Sequence, residues 1–422
     1  MNKPDSLQCV VQGNSMLPLL IPDDMVEIIK TPFQNIQTDD IVAIIKKNNM
    51  IVHRVVYKTQ SYLISKGDNN LKSDGRVYPD EVLGRINYFK RGNKRIAIDA
   101  YYLMQSSLYF KEWTKINHVF HKNNLEVIIL KGLPLYLYLD GKMPRRLYYD
   151  CDLLVKSSQF DDIDKTLRKE GYDQLDLSIS KIFSFFHHDF PEKSFIKTMH
   201  FVPIVFDVHK EMFFTMVHLR IEDDLYPKKY ITELTQTFLS NKMTVVFQGR
   251  TFSILSLNDL ILYLTLHFFH HNYEGIHRLQ TLHKAIEAVH TDMDWDHFIT
   301  TVKLYQLNNY VYPSLFLSKK YFDTTIPAYV FESILPSSRI FLVILQLKTL
   351  QPFDESLRII NGIKRFMYLF FASPLPLAKR FIVFVRPLVV LSVILSIEIL
   401  IRSFLVKAGK RIRYFFSKMI FF

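Results

Sequence analysis

Hydrophobic periodicity changes once along this chain, and that change limits what it can fold into. Residues 1 to about 90 carry short alternating runs such as Met25-Val26-Glu27-Ile28-Ile29, broken by Pro, Gly, Asn and Asp. A period of two sends successive side chains to opposite faces of a strand, so this part predicts a mainly β domain. From Ala100 to His121, Tyr, Leu, Phe and Trp recur at helical spacing, and strands and helices alternate beyond. The chain therefore reads as multidomain. We expect a β-rich domain over 1–95, an α/β (α+β) domain over 100–300, a helical extension over 301–380 and an apolar, basic, helical tail over 381–422. The basic stretch Lys90-Arg91-Gly92-Asn93-Lys94-Arg95 reads as the linker. With 422 residues, 49% of them hydrophobic, there is ample material for buried cores.

Three clusters in the first domain carry chemistry: Gly13-Asn14-Ser15-Met16-Leu17-Pro18, Ile51-Val52-His53-Arg54-Val55-Val56, and Lys66-Gly67-Asp68-Asn69-Asn70 followed by Asp74. A serine hydroxyl becomes a nucleophile only beside a base, and the base works best when a third group fixes its tautomer. Ser15, His53 and Asp74 supply those three roles, with Asp68 as the alternative acid. Gly13 is expected to let the backbone turn so that amide groups near Ser15 face an oxyanion. Ser-Met-x-Pro, Asp40-Ile41-Val42, His-Arg-Val-Val, Lys-Gly-Asp-Asn-Asn and Gly84-Arg85-Ile86 together resemble the S24/S26 peptidase superfamily, over roughly residues 8 to 90. The closest likeness is to the signal peptidase I branch that uses histidine as its base. The resemblance implies a serine endopeptidase acting on a peptide or protein, with no cofactor. Members of that branch usually carry a membrane anchor before the serine, and the fourteen residues ahead of Ser15 are too few for one.

The second domain has its own chemistry. Asp150 and Asp152 lie two apart in an apolar run, so on a strand their carboxylates share a face and repel unless a cation neutralises them. Asp207, at the end of Val202-Pro203-Ile204-Val205-Phe206, is a candidate third ligand. The run Leu130-Lys131-Gly132, the upstream Arg145, Asp150 to Val155, Phe206-Asp207-Val208-His209 and the segment Asn258 to His267 resemble the nucleotidyltransferase superfamily, in its poorly characterised bacterial branch. That resemblance spans roughly residues 105 to 300. It implies Mg²⁺ and an NTP, with metal ligands Asp150, Asp152 and Asp207 and nucleotide contacts from Lys131, Gly132 and Arg145. Two departures stand out: the usual Gly-Gly or Gly-Ser turn is Lys131-Gly132-Leu133, and His283 stands where an Asp is expected. His267, His270, His271 and His277 could line a helix face at metal spacing, but no cysteine accompanies them, which favours a structural or substrate-facing role over zinc.

Cys9 and Cys151 are the only cysteines and have no paired spacing, which argues against a disulfide scaffold and for a reducing compartment. The net charge of +12 is unevenly spread: from residue 359 onward eleven Lys or Arg face one acid, Glu398, among Phe, Ile, Val and Leu. Such a mixture suits a membrane surface better than a specific nucleic acid. Residues 387–405 approach spanning length, but Glu398 and Arg402 make an isolated span marginal. An NTP-using site implies a cytoplasmic location, with peripheral or C-terminal attachment at the inner face of the membrane. The leading expectation is a bifunctional bacterial protein, peptidase and nucleotidyltransferase, serving maturation of a secreted peptide or polymer. Two alternatives stay open: a nucleotidyltransferase whose peptidase-like domain only binds peptides, and a membrane-associated scaffold with both sites degenerate.

Overall fold

A computed structural model describes residues 6–141, 144–148, 150–175, 191–199, 202–212, 221–247, 249–391 and 393–394. The first part is β-rich, as its alternation requires. Eight strands, β1 (Ser6–Val10), β2 (Met25–Ile29), β3 (Ile41–Lys46), β4 (Asn49–Lys58), β5 (Leu63–Lys66), β6 (Arg76–Val77), β7 (Val82–Arg91) and β8 (Lys94–Ala97), form one antiparallel sheet. Its order is β1-β2-β7-β3-β4-β5-β6, with β8 on β7. The sheet curls around two small cores, one built on Leu19, Val26, Ile86 and Phe89, the other on Val42, Ile44, Val55 and Leu63.

The basic stretch expected as a linker is part of this sheet. Arg91 and Lys94 are register partners across a β7–β8 hairpin, and β8 runs directly into helix α1 (Ile98–Lys122). Carboxylates explain why so many cations settle in a strand pair. Arg91 donates to both oxygens of buried Asp24 at 2.9 and 2.7 Å, and Arg95 reaches Glu27 at 2.8 Å while its guanidinium lies 3.7 Å over Tyr88.

The second part is α/β. A mixed sheet of seven strands has the order β11-β12-β13-β10-β9-β15-β14, comprising β9 (Val127–Gly132), β10 (Asp150–Val155), β11 (Asp173–Gln174), β12 (Glu192–Met199), β13 (Val202–His209), β14 (Met243–Phe247) and β15 (Arg250–Ile254). The β10–β13 and β9–β15 pairs are parallel, and the others are antiparallel. One face of the sheet packs on α1, where Trp113 meets Phe206 edge-on at 5.9 Å. A helix covered on every side follows, Leu257–His270, and buried Leu, Ile and Phe run along most of its length. Ser256 caps its start by accepting from the Asp259 amide.

The helices of the extension expected over 301–380 contribute to this same core. Tyr310, Leu315, Val330, Phe341 and Leu369 are buried in one continuous cluster with the sheet. No helix among the described residues is long and apolar enough to cross a membrane. The tail beyond residue 394, with Glu398, Arg402 and the basic run that follows, lies outside the described residues.

The two parts are tied by buried polar contacts. Arg54, 6% exposed, donates to both oxygens of Asp68, to the Tyr102 hydroxyl on α1 and to the carbonyl of Arg145. From the far end of the chain, Asp354 accepts from the amide and hydroxyl of Ser73, and Glu355 pairs with Lys66 at 2.7 Å.

Candidate active site

The loop between β1 and β2 brings Ser15 to the edge of the first sheet, β4 carries His53, and the turn after β5 carries Asp74. Ser15 Oγ lies 2.9 Å from His53 Nε2, and His53 Nδ1 lies 2.7 Å from Asp74 Oδ2. With Asp74 accepting from Nδ1–H, the Nε2 lone pair faces the serine hydroxyl. The acid is itself fixed: Asp74 Oδ2 accepts from Ser65 Oγ at 2.7 Å, and its carbonyl accepts from Lys46 Nζ at 2.6 Å. His53 is 5% exposed, so its ring is held away from bulk water.

Two expectations for this centre change. Asp68 does not face His53; both of its oxygens are taken by Arg54. Gly13 has an ordinary φ and open space around it. The glycine that the centre requires is Gly67, where an added Cβ would sit 2.6 Å from the Ser15 carbonyl oxygen and 2.9 Å from His53 Nε2. Sequence reading grouped Gly67 with the Lys-Gly-Asp motif without a role, because close approach to a residue 52 positions earlier leaves no local signal.

In the second part, strand pairing assembles the acids. Asp152 on β10 is the register partner of Asp207 on parallel β13, and of Lys131 on antiparallel β9. Asp150 stands two residues before Asp152 on the same face. One carboxylate oxygen from each of Asp150, Asp152 and Asp207 lies within 4.8 Å of the others. Gly132 ends β9 at φ +115°, and a Cβ there would lie 2.9 Å from the Asp150 carbonyl oxygen and the Cys151 Cα. Only glycine lets β9 approach β10 so closely before α2 (Leu133–Asp140) begins.

Charge decides the state of this cluster. Lys131 Nζ lies 2.9 Å from Asp150 and 3.0 Å from Asp152, and His209 Nε2 lies 3.1 Å from Asp152 Oδ1. Burial works to raise the Asp152 pKa, but Lys131 and His209 outweigh it and hold the group below its usual value. For Asp207, burial and the neighbouring Asp152 charge outweigh the Ser194 hydrogen bond and the His209 cation and push it up to about 7. Burial opposes the His209 cation, yet Glu192 and Asp152 carry its pKa up to about 8. Buried Asp152 Oδ2 has Lys131 Nζ 3.0 Å away but makes no well-directed hydrogen bond.

These features fit a small hard cation. Ligand oxygens on one Mg²⁺ lie about 3 to 4 Å apart, given bonds of roughly 2.0–2.1 Å, so the cluster needs to tighten only slightly. A metal here would also offset the burial and the Asp152 charge that raise the Asp207 pKa.

Arg145, expected at the nucleotide, points elsewhere. Its Nη2 meets Asp40 of the first part at 2.5 Å. The neighbouring Arg146 faces the site, stacking 4.5 Å over Tyr148 and lining the cleft described next. Two adjacent arginines cannot be told apart from sequence when one is drawn away by an acid 105 positions earlier. The histidines form no metal group: among the described residues only Asp150, Asp152 and Asp207 cluster as ligands. Burial pushes His267, His271 and His277 well below the usual histidine range, as expected of neutral packed rings. His283 bonds Thr324 at 2.9 Å and stacks on Phe322, away from the acids.

A cleft of about 360 Å³ lies between the two parts. Leu17, Pro18, Lys66 and Gly67 form one wall, while Lys131, Gly132, Arg146, Asp150, His277 and Arg278 form the other. A family model described as an uncharacterised nucleotidyltransferase matches residues 100–323, from near the start of α1 to just beyond the helix Asn308–Phe322. Among curated proteins, none matches the chain.

Proposed function

This chain belongs to the family of uncharacterised nucleotidyltransferases, and from that membership we propose that it transfers a nucleotidyl group from an NTP at Asp150, Asp152 and Asp207. The observation that carries this reading is the convergence of three strand-borne carboxylates and Lys131, with Asp150 and Lys131 lining the cleft. Mg²⁺ held there would offset the negative charge carried by the oxygens of the transferred phosphoryl group and of the leaving pyrophosphate. Asp150, Asp152 and Asp207 would hold the metal. Lys131, released from the two acids once they have another cation, is free to meet phosphate. His209 keeps Asp152 ionised and oriented. Gly132 lets the backbone of the β9–α2 turn approach the nucleotide. The acceptor's oxygen attacks the α-phosphorus and pyrophosphate leaves.

The test uses each α-³²P-labelled NTP with Mg²⁺ and fractionated bacterial extract as the source of acceptor. Wild-type protein should release pyrophosphate and transfer label with at least one nucleotide, and Asp152→Asn should do neither. Absence of pyrophosphate release with all four would refute the reading.

A second activity is supported by the hydrogen-bonded series Ser15, His53 and Asp74. In it, Ser15 attacks a peptide carbonyl, His53 takes the proton and later gives it to the leaving amine, and Asp74 stabilises the imidazolium. Fluorophosphonate labelling followed by intact mass tests this reading. One adduct on wild type and none on Ser15→Ala is expected. An unlabelled wild type would leave the first part as a peptide-binding module.

A further inference from the structure

Where the first part closes over the cleft, Glu355 is held between two cations. Its Oε1 accepts from Lys66 Nζ at 2.7 Å, and its Oε2 lies 3.7 Å from Arg278 Nη1. Lys66 belongs to the serine-bearing part, and Arg278 sits in the first turn of the helix Ile276–Val289. All three side chains line the same cleft as Lys131 and Asp150.

The geometry is that of an anion site filled by the protein's own carboxylate. Lys66 is 8% exposed, and the Arg278 side chain is 19% exposed with only the long Glu355 contact as its ion pair among the described residues. The helix that carries Arg278 has no side-chain cap at its N-terminus, and Ile276 and His277 of that first turn also face the cleft. Uncapped amides and the helix dipole add to the attraction for negative charge. Elsewhere in the cleft Arg54 is balanced by Asp68, Lys131 by Asp150 and Lys284 by Asp140, while Arg146 stacks over Tyr148 with no ion pair among the described residues. Glu355 is therefore the one carboxylate serving two cations at the helix start. It is held there by a loop whose backbone is itself anchored, the Glu355 amide donating to the Leu71 carbonyl at 2.7 Å.

We propose that the nucleotide site is composite: Lys66 and Arg278 receive the terminal phosphates of the NTP, whose α-phosphate lies at the aspartates, and Glu355 occupies their place until nucleotide enters. This inference rests on the nucleotide reading above and extends it to residues outside the family match, since Lys66 and Glu355 both lie beyond residues 100–323. A nucleotide seated there would also lie against Gly67, whose other side touches His53 and the Ser15 carbonyl.

Calorimetric titration of the full chain with Mg·tripolyphosphate and each Mg·NTP separates the possibilities. Lys66→Met should weaken both ligands by about tenfold or more, the loss expected for a charge-assisted contact. Glu355→Gln should tighten both by about three- to tenfold, because it removes the competing charge while keeping shape. A purely structural bridge predicts the reverse for Glu355→Gln, so this variant decides the matter even if Lys66→Met folds poorly. Nucleotide binding unchanged or weakened in Glu355→Gln would overturn the inference and leave the nucleotide reading standing. Failure of wild type to bind any of these ligands would overturn both.

Discussion

At the scale of single residues, two close approaches and one unbalanced acid carry the account. One is Gly67: any side chain there must displace the Ser15 backbone or the His53 ring. Gly67→Ala is expected to lower stability by about 1–3 kcal/mol and to cut fluorophosphonate labelling of Ser15 at least tenfold. Wild-type labelling by a folded Gly67→Ala protein would show that the ring does not need that space. Asp207 gives a pH prediction. Its folded pKa, up to about 7, exceeds the unfolded value near 3.9, so the folded state binds the proton more tightly. The stability this contributes is present at low pH and is lost as pH rises through about 7. Mg²⁺ competes with that proton, so it should raise the melting temperature more at pH 8 than at pH 6. Equal increments at the two values would place the metal away from Asp207. Motif spacing marked Ser15, His53, Asp74 and the three aspartates as candidates, and the fold brings each set together. The sequence could not show Gly67, Ser65 or Arg146, whose roles come from neighbours distant in sequence.

At the scale of elements, the instructive case is the β7–β8 hairpin. Six residues rich in Lys and Arg read as a linker because charge and Gly usually mark exposed, unpaired chain. The partners that turn them into sheet are acids on β2 and beside it, Glu27 and Asp24, invisible until the strands pair. Limited trypsin digestion should therefore leave the Lys90–Arg95 region intact, and early cleavage there into two stable halves would contradict the pairing. Strand β4 carries the other hinge of the design. Arg54 joins Asp68, α1 and the Arg145 carbonyl, so Arg54→Ala strands a carboxylate and is expected to cost about 3–5 kcal/mol in chemical denaturation. A loss below about 1 kcal/mol would mean that these contacts behave as a solvated surface pair.

At the scale of the molecule, the two parts face each other across one cleft instead of standing apart. Alternation and helical spacing were enough to foresee a β-rich part followed by an α/β part, because those patterns are local. Their docking was not foreseen, since it depends on Arg54, Lys66 and Glu355, which lie far apart along the chain. For the same reason the helices after residue 300 read as an extension but belong to the second core. Binding of a metal-complexed nucleotide at the aspartate cluster is open to calorimetry with Mg·ATP, Mg·GTP, Mg·CTP and Mg·UTP on wild type and Asp152→Asn. We predict binding of at least one nucleotide by wild type, dependent on Mg²⁺, and a loss of about 100-fold or more in the variant with its melting temperature little changed. Equal binding by both proteins, or binding that ignores Mg²⁺, would contradict the account.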